Sequence, residues 1–408
     1  MSAPTSSSSS PELTAALRAI LDGRWAATKD VVREQIQDGN VVPKTGLSLD
    51  EYRELMLSQM KDMVPLGFPA DGFKSDHGGT GDVGAAVSAI ETLGYGDLSL
   101  MVKAGVQWGL FGGAVENLGT QYHHDTYVKG LIDLDVLGCF AMTETGHGSN
   151  VQELETTATY FPETGEFEIH SPTSSARKDY IGGAAEHARV AAVFAQLFTP
   201  GTEESHGVHC FVVPIRDEAG NDLPGVTTSD CGYKGGLPGV DNGRIMFDQV
   251  RIPRENLLNR FADVDAAGVY SSPIESPGRR FFTMIGTLVR GRVTVGGSAA
   301  AAARVALTIA GRYALQRRQF DAPDTEHEVL IMDYLVHQRR LLPHLARAYA
   351  LGFAQNELVV DADCLYTNTG EGLHRYVDPA DGKTYLYTQY EPADARRVFA
   401  NFEQPDLK

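Results

Sequence analysis

The chain has 408 residues, 42% of them hydrophobic, and a formal charge of −18. That length allows two or three domains around a large core, and the composition is that of a soluble globular protein. The acidic balance argues against a nucleic-acid binder, which needs a basic stripe. It leaves an anionic ligand open, because local cations and backbone N–H groups decide that.

The Ser-rich start, Met1–Pro11, lacks both a cationic opening and an apolar core, so it reads as disordered rather than as a signal peptide. Glu12–Gln37 reads as one helix, with Leu13, Leu17, Ile20 and Leu21 at helical spacing. Leu49–Val64 reads as a second, capped by Ser48 with Glu51 three residues on. Gly79-Thr80-Gly81-Asp82-Val83-Gly84 has the form G-x-G-x-x-G, but the polar segment Asp71–His77 precedes it where a dinucleotide fold needs an apolar strand. It is read as a loop entering a helix. Asp82–Leu93 and Leu98–Leu118 complete a helical first third.

From about Asp135 to Pro253 the hydrophobic period changes to two. Glu153–Tyr160, Glu166–Ser171, Ala188–Leu197, Gly207–Ile215, Gly225–Cys231 and Arg244–Ile252 read as strands between turn residues, a spacing that suits an antiparallel barrel or sandwich. Within this region Cys139–Tyr160, CFAMTETGHGSNVQELETTATY, carries a turn with two glycines beside Thr143 and Ser149. Such a turn can face bare N–H groups toward a phosphate. The residues alone equally allow an ordinary tight turn.

Long helices return from Arg279 to about Val360. Thr283–Gln319 contains no proline and bears Gly291, Gly296, Gly297 and Ala299–Ala303, a stripe that permits close helix packing. On this reading Arg317 and Arg318 end a helix and complement its dipole. No run approaches a membrane span, and Pro405–Lys408 is not a Ser-Lys-Leu address. Cys139, Cys210, Cys231 and Cys364 lack metal-ligand spacing, which predicts reduced thiols and a cytoplasmic location. His123-His124 and His206/His209 lack Cys or carboxylate ligands at the expected spacing, so no metal is expected. There is no G-x-S-x-G elbow and no Walker A sequence.

The turn at Thr143–Ser149, followed in order by Lys178-Asp179-Tyr180-Ile181-Gly182-Gly183, Asp241-Asn242-Gly243, Arg251–Leu258 and Tyr313–Phe320, resembles the acyl-CoA dehydrogenase and oxidase superfamily, in several places its oxidase branch. The resemblance covers roughly Pro65 to Asn356. It implies an α+β fold, with an N-terminal helical domain (1–134), a central antiparallel β-barrel (135–255) and an incomplete C-terminal helical bundle (256–360), followed by a divergent polar tail (361–408). It implies FAD as cofactor and acyl-CoA as substrate, oxidised at the α,β bond in fatty acid β-oxidation, in a homo- or hetero-oligomer that is at least a dimer.

Carried over by position, Thr143, Gly148 and Ser149 contact FAD, Tyr180 places an aromatic ring near the flavin, and backbone at Gly182 approaches the ring system. Tyr180 and Gly182 replace the dehydrogenases' usual Trp and Thr. Arg317, three residues before Phe320, binds the pyrophosphate, often that of a neighbouring subunit; a planar guanidinium fork suits it.

The family's base is a glutamate on a late helix, or a carboxylate immediately before an arginine on the first bundle helix. The first segment is absent, and the second position reads Gly291-Arg292. The tail carries Glu371, Glu391 and Glu403, none in a matching helix. No base is assigned. Two rival readings follow: a non-catalytic or partner-dependent subunit, and a flavin-dependent monooxygenase, which needs no glutamate.

Overall fold

The computed structural model describes residues 10–286, 288–321, 327–367, 374–377 and 384–387. Helices come first. α1 (Pro11–Asp22) begins with proline at its first position, and the Ser10 hydroxyl accepts from Leu13 N–H. The single helix expected over Glu12–Gln37 is broken at Gly23, which sits at φ +64°, and α2 (Ala26–Gln37) restarts after it. The break lets Trp25 bury its ring against Gly84, where a Cβ would lie 1.9 Å from it, while the indole N–H donates to Asp82. α3 (Leu49–Met63) carries the full Ser48–Glu51 capping box.

Three short 3-10 turns, Val64–Leu66, Phe68–Ala70 and Ser75–His77, lead to α4 (Val83–Leu93). A 3-10 turn, not a strand, thus precedes the glycine loop. α5 (Leu98–Ala104) passes through a π-helical turn, Gly105–Phe111, into α6 (Gly112–Leu118). α7 (Gln121–His123), a second π turn at His124–Val128, and α8 (Lys129–Ile132) close the helical third.

Nine strands follow: β1 (Gly138–Ala141), β2 (Thr157–Phe161), β3 (Glu166–His170), β4 (Lys178–Gly182), β5 (Val190–Phe198), β6 (Val208–Pro214), β7 (Val226–Asp230), β8 (Asn242–Phe247) and β9 (Val250–Pro253). One sheet has the order β1-β5-β2-β3-β9 with β6 on the other edge of β5; a second is β4-β8-β7. Most pairs are antiparallel, as expected. β1 and β2, however, both run parallel to β5, in registers Gly138↔Val190 and Thr157↔Gln196. Alternation specifies a strand but not its direction, and the long stretches of chain from β1 and from β2 to β5 permit the crossovers. The expected strand Arg244–Ile252 breaks at Gln249, at φ +53°. Aromatic rings fill the sheet interior, with Phe167 5.0 Å from Tyr160 and 5.1 Å from Phe211 between centroids.

A small hairpin, β10 (Asp263–Val264) and β11 (Tyr270–Ser271), precedes α9 (Pro277–Ile285) and α10 (Leu288–Ala314). The hairpin β12 (Arg318–Asp321) and β13 (Glu328–Leu330), then α11 (Leu335–Thr367), β14 (His374–Val377) and β15 (Thr384–Tyr387) follow. The expected helix over Thr283–Gln319 is therefore two helices, and it stops at Ala314. Gly297 supplies the close packing expected of the small-residue stripe. A Cβ there would lie 1.9 Å from Glu91, whose carboxylate accepts from Gln355 of α11 at 2.8 Å. Two helices, Leu98–Leu118 and Leu288–Ala314, are long and apolar enough to cross a membrane by length and composition, contrary to the reading from sequence. The first is core. The second packs on α4 and α11.

Charged clamps join helices to sheets. Arg53 of α3 makes a two-pronged bond to Asp230 of β7 at 2.6 and 2.8 Å. Lys103 of α5 pairs with Asp241 and donates to His187 Nδ1 at 2.8 Å, and His187 Nε2–H donates to Glu54 of α3 at 2.8 Å. Burial alone would raise the Asp241 pKa, but Lys103 and His187 hold it well below the usual carboxylate range.

Removing one partner strands the other charge in the interior. Lys103→Met is expected to cost about 3–5 kcal/mol in urea denaturation. A loss below about 1 kcal/mol would show that this pair does not hold the seam.

Candidate functional site

The turn Thr143–Asn150 sits on a buried ion pair. Glu144 and Lys178 have fully buried side chains 2.9 Å apart. Glu144 also accepts from the N–H groups of Glu155 (2.7 Å) and Thr156 (3.0 Å) and from the Thr156 hydroxyl (2.6 Å). Lys178 donates to the carbonyls of Met142 (3.2 Å) and Phe194 (2.7 Å). Burial pushes the Lys178 pKa down to about 8, against the opposing pull of Glu144. Every strong bond of both groups is met, so the pair locks the turn to β4 and to the start of β2. This is why β2 begins only at Thr157.

Backbone bonds close the turn above the pair. His147 N–H donates to the Glu144 carbonyl (3.1 Å), Thr145 N–H to Arg177 (2.9 Å) and Gly146 N–H to Ser175 (2.9 Å). The next donors are left over. The Thr143 hydroxyl and the N–H groups of Gly148, Ser149 and Asn150 have no protein partner among the described residues. Gly148 faces open space, since a Cβ there would meet nothing within 4 Å. A cluster of unpartnered donors on a fixed turn can receive an anionic or carbonyl-rich group.

In the middle of β4, where the pairing with β8 shifts register, Tyr180 is 64% exposed and held at φ +57°, a backbone region that costs a bulky residue energy. Its N–H donates to Asp179 at 3.0 Å, and its carbonyl accepts from Asn242 at 2.8 Å. Asp179 is itself gripped by Thr145 (2.9 Å), Arg177 (3.1 Å) and Arg244 (3.1 Å). Gly182 faces the helices: a Cβ on it would lie 3.0 Å from Val106 Cγ2, in the π turn of α5. A side chain at 182 would therefore strike the seam between sheet and helix, not an open cradle.

Val106 also lines an apolar cavity of about 440 Å³ between α4, the α5 π turn and α10. Phe68, Met101, Trp108 and Val295 are among its walls. The π turn shapes it, and such turns concentrate at functional sites. Arg290 caps the loosened backbone, donating to the carbonyls of Gly72 (2.9 Å), Trp108 and Gly109 (both 3.2 Å). Gly291 faces the cavity with only Leu110 near, at 3.4 Å from a built Cβ. None of the residues lining the cavity is a carboxylate.

Arg317 and Phe320 are not brought to this site. Arg317 lies in the turn after α10, not at a helix end, and its N–H donates to the Tyr313 carbonyl at 2.8 Å. The dipole-complementing role expected of Arg317 and Arg318 is therefore not realised, and Arg318 lies in β12. The Arg317 guanidinium has no partner among the described residues, and Phe320 is 75% exposed at φ +63°. No bond among the described residues joins either to Thr143, Gly148, Ser149, Tyr180 or Gly182. Glu371, Glu391 and Glu403 lie outside the described residues.

His123, His206 and His209 have structural work. His123 Nδ1 accepts from Thr120 N–H at 3.1 Å and Nε2 bonds the Glu255 carbonyl at 2.9 Å. His206 stacks on Tyr270 at 3.9 Å, and His209 bonds the Gly207 carbonyl and the Tyr270 hydroxyl. Sequence reasoning gave no role to Glu144, Lys178, Val106 or Arg290. Lys178 had one signal, a lysine inside an otherwise strand-like run.

Two family descriptions match the chain: "Acyl-CoA oxidase, C-alpha1 domain" over residues 285–375 and "Acyl-CoA dehydrogenase, middle domain" over residues 139–250. "Acyl-coenzyme A oxidase 3, peroxisomal" of Arabidopsis thaliana is 43% identical over 354 residues, covering 84% of this chain and 52% of that protein. "Peroxisomal acyl-coenzyme A oxidase 3" of Homo sapiens is 40% identical, covering 78% and 45%. Among solved structures, acyl-CoA oxidase 1 of Yarrowia lipolytica superposes with TM-score 0.76 at 33% identity, over 89% of this chain and 51% of that one. Acyl-CoA oxidase-2 of Caenorhabditis elegans, bound with FAD, ascaroside-CoA and ATP, gives 0.74 at 27% identity, over 88% and 53%. The chain thus spans about half the length of the curated relatives it matches. Their peroxisomal names overturn the cytoplasmic location expected from the cysteines. Unpaired thiols argue against an oxidising compartment but do not distinguish among reducing ones.

The buried pair fixes the turn's shape, so breaking it should loosen the turn before the fold is lost. Lys178→Met leaves a buried carboxylate unpaired and is expected to cost about 3–5 kcal/mol. The double variant Glu144→Gln/Lys178→Met is expected to recover part of that in a double-mutant cycle. Additive losses would contradict a direct pair.

Proposed function

The chain belongs to the acyl-CoA oxidase and acyl-CoA dehydrogenase superfamily, and we propose that it forms the flavin- and thioester-holding half of an FAD-dependent acyl-CoA oxidase of fatty acid β-oxidation. One observation carries the reading. The apolar cavity meets the end of β4 through a single side chain, Val106. An acyl chain in the cavity would therefore end beside Gly182, two residues along β4 from the exposed Tyr180.

The residues present fit the cofactor. Thr143, Gly148 and Ser149 offer donors that nothing else among the described residues uses, and Tyr180 offers an aromatic face. FAD held there would supply the hydride acceptor for the α,β-oxidation. The chain's own part is to bind, orient and exclude water. The cavity walls desolvate the acyl chain, at about 25 cal/mol per Å² of apolar surface removed from water. Gly182 lets sheet and π turn approach, which sets the distance between the two ligands.

Arg317 and Phe320 belong to the same reading through a second copy or a related subunit. Both are exposed, and among the described residues the Arg317 guanidinium has no partner. Apolar side chains of α10 and α11, such as Ile309, Tyr313, Leu342 and Phe353, are also exposed. In an assembly of at least two subunits, Arg317 would reach the pyrophosphate of the neighbouring FAD. Arg317→Lys keeps the charge but loses the fork, and should weaken FAD retention about tenfold at matched ionic strength. Unchanged retention would remove Arg317 from the site.

A second reading is favoured by the cavity lining: the chain depends on a partner for its base. Among the described residues no carboxylate faces the cavity, and a general base contributes about 10²–10⁴-fold. Gly291 is the position at which one would fit, because only Leu110 stands near it. Gly291→Glu in the FAD-loaded protein is expected to raise the rate of flavin bleaching by acyl-CoA by at least ~10²-fold. An unchanged rate with intact FAD binding would show that the missing base is not the deficit.

A further inference from the structure

We propose that His77, Glu116 and His124 form a binding site for a divalent transition-metal ion of the zinc class. The three come from separate elements: the Ser75–His77 turn, α6 and the second π turn. One ligand atom of each lies within 4.8 Å of the other two. The side chains of His77 and Glu116 are 7% and 5% exposed, with His77 Nδ1 2.8 Å from Glu116 Oε2. The rings of His77 and His124 lie 3.9 Å apart at 32°.

One nitrogen in this cluster has no use within the protein. His124 Nε2–H donates to the Glu116 backbone carbonyl at 3.2 Å, which leaves Nδ1 as the lone-pair nitrogen. That atom is buried and has no hydrogen-bond partner among the described residues. Such groups are normally satisfied, and an unmet one calls for an explanation. The surrounding bonds have the form that prepares a ligand set. A carbonyl fixes the His124 tautomer, and Lys74 N–H holds Glu116 Oε1 at 3.2 Å, leaving Oε2 to turn inward.

Two imidazole nitrogens and one carboxylate oxygen make a zinc-class donor set with a fourth position for water. Tetrahedral ligands at ~2.1 Å from an ion stand ~3.4 Å from one another, so the 2.8 Å His77–Glu116 pair opens slightly and the His124 nitrogen, within 4.8 Å of both, closes by at most ~1.4 Å. On binding, the ion takes the place of the proton shared by His77 Nδ1 and Glu116. Lys74, on an exposed side chain, places a cation near His124 that opposes binding.

The ion would tie down a wall of the acyl cavity. The loop ending at His77 contributes Phe68, Pro69 and Gly72 to the lining, and Phe73 packs on Gly112, where a Cβ would lie 2.7 Å away. Joined to α6 and the π turn, that loop becomes rigid.

The test uses the full chain without an affinity tag, stripped with chelator and titrated with Zn²⁺ by calorimetry. Co²⁺ serves as a spectroscopic probe. One ion per chain is expected, with a visible Co²⁺ d–d band and a raised Tm. His124→Gln should weaken Zn²⁺ binding by roughly 100-fold or more and abolish the band, while its metal-free Tm stays near that of the parent. Glu116→Gln should act likewise; if it does not fold, His124→Gln still decides. No stoichiometric binding by the parent, or binding unchanged in His124→Gln, would overturn the proposal. None of these readouts requires FAD or acyl-CoA, so the outcome is independent of the function proposed above.

Discussion

The buried Glu144–Lys178 pair is the constraint on which the β-region's exposed face depends. Desolvating two such ions costs several kcal/mol each, and an apolar pair of the same size would often be as stable. What the ions add is direction. Glu144 gathers two backbone N–H groups, a hydroxyl and an ammonium, and Lys178 gathers two carbonyls, that of Met142 just past β1 and that of Phe194 in β5. These bonds fix where the chain leaves β1 and where it enters β2. Everything between must then arch outward, which leaves the donors at Gly148 and Ser149 facing away from the protein.

The second half of the arrangement is a contact between layers. The π turn at Gly105–Phe111 widens the helix, and its freed carbonyls are taken up by Arg290 from α10. One residue, Val106, then faces both the cavity and Gly182. The Arg53–Asp230 and Lys103–Asp241 clamps hold helices and sheet in this relation. The proposed surfaces for a flat ring and for an apolar chain would meet there. On the proposed reading the chain would position and desolvate, but no carboxylate among the described residues lines the cavity to remove a proton.

Local features were readable in sequence because local rules govern them. The Ser48–Glu51 box, the switch of period near Asp135 and the small-residue stripe at Gly297 each follow from the residues within one element. Strand direction was not readable, because β1 and β2 alternate in the same way whether they run parallel or antiparallel to β5. The breaks at Gly23 and Gln249 were missed because their cause lies elsewhere, in Trp25 packing on Gly84 and in the turn linking β8 to β9. Arg317 was placed on a helix because no Gly or Pro marks the turn after Ala314. The turn at Thr143–Ser149 and the tip of β4 were found from motif resemblance. The lysine–glutamate pair beneath them, 34 residues apart, leaves no spacing signal. The same holds for His77, which meets His124 only through the fold.

The account's central claim is that this chain binds flavin and acyl thioester together yet does not oxidise the thioester alone. The most direct measurement is anaerobic rapid mixing of the FAD-loaded chain with a panel of acyl-CoAs, following the flavin absorbance. The account predicts a shift in the flavin bands on binding, without bleaching at ordinary enzyme rates. Rapid bleaching with no partner present would contradict it.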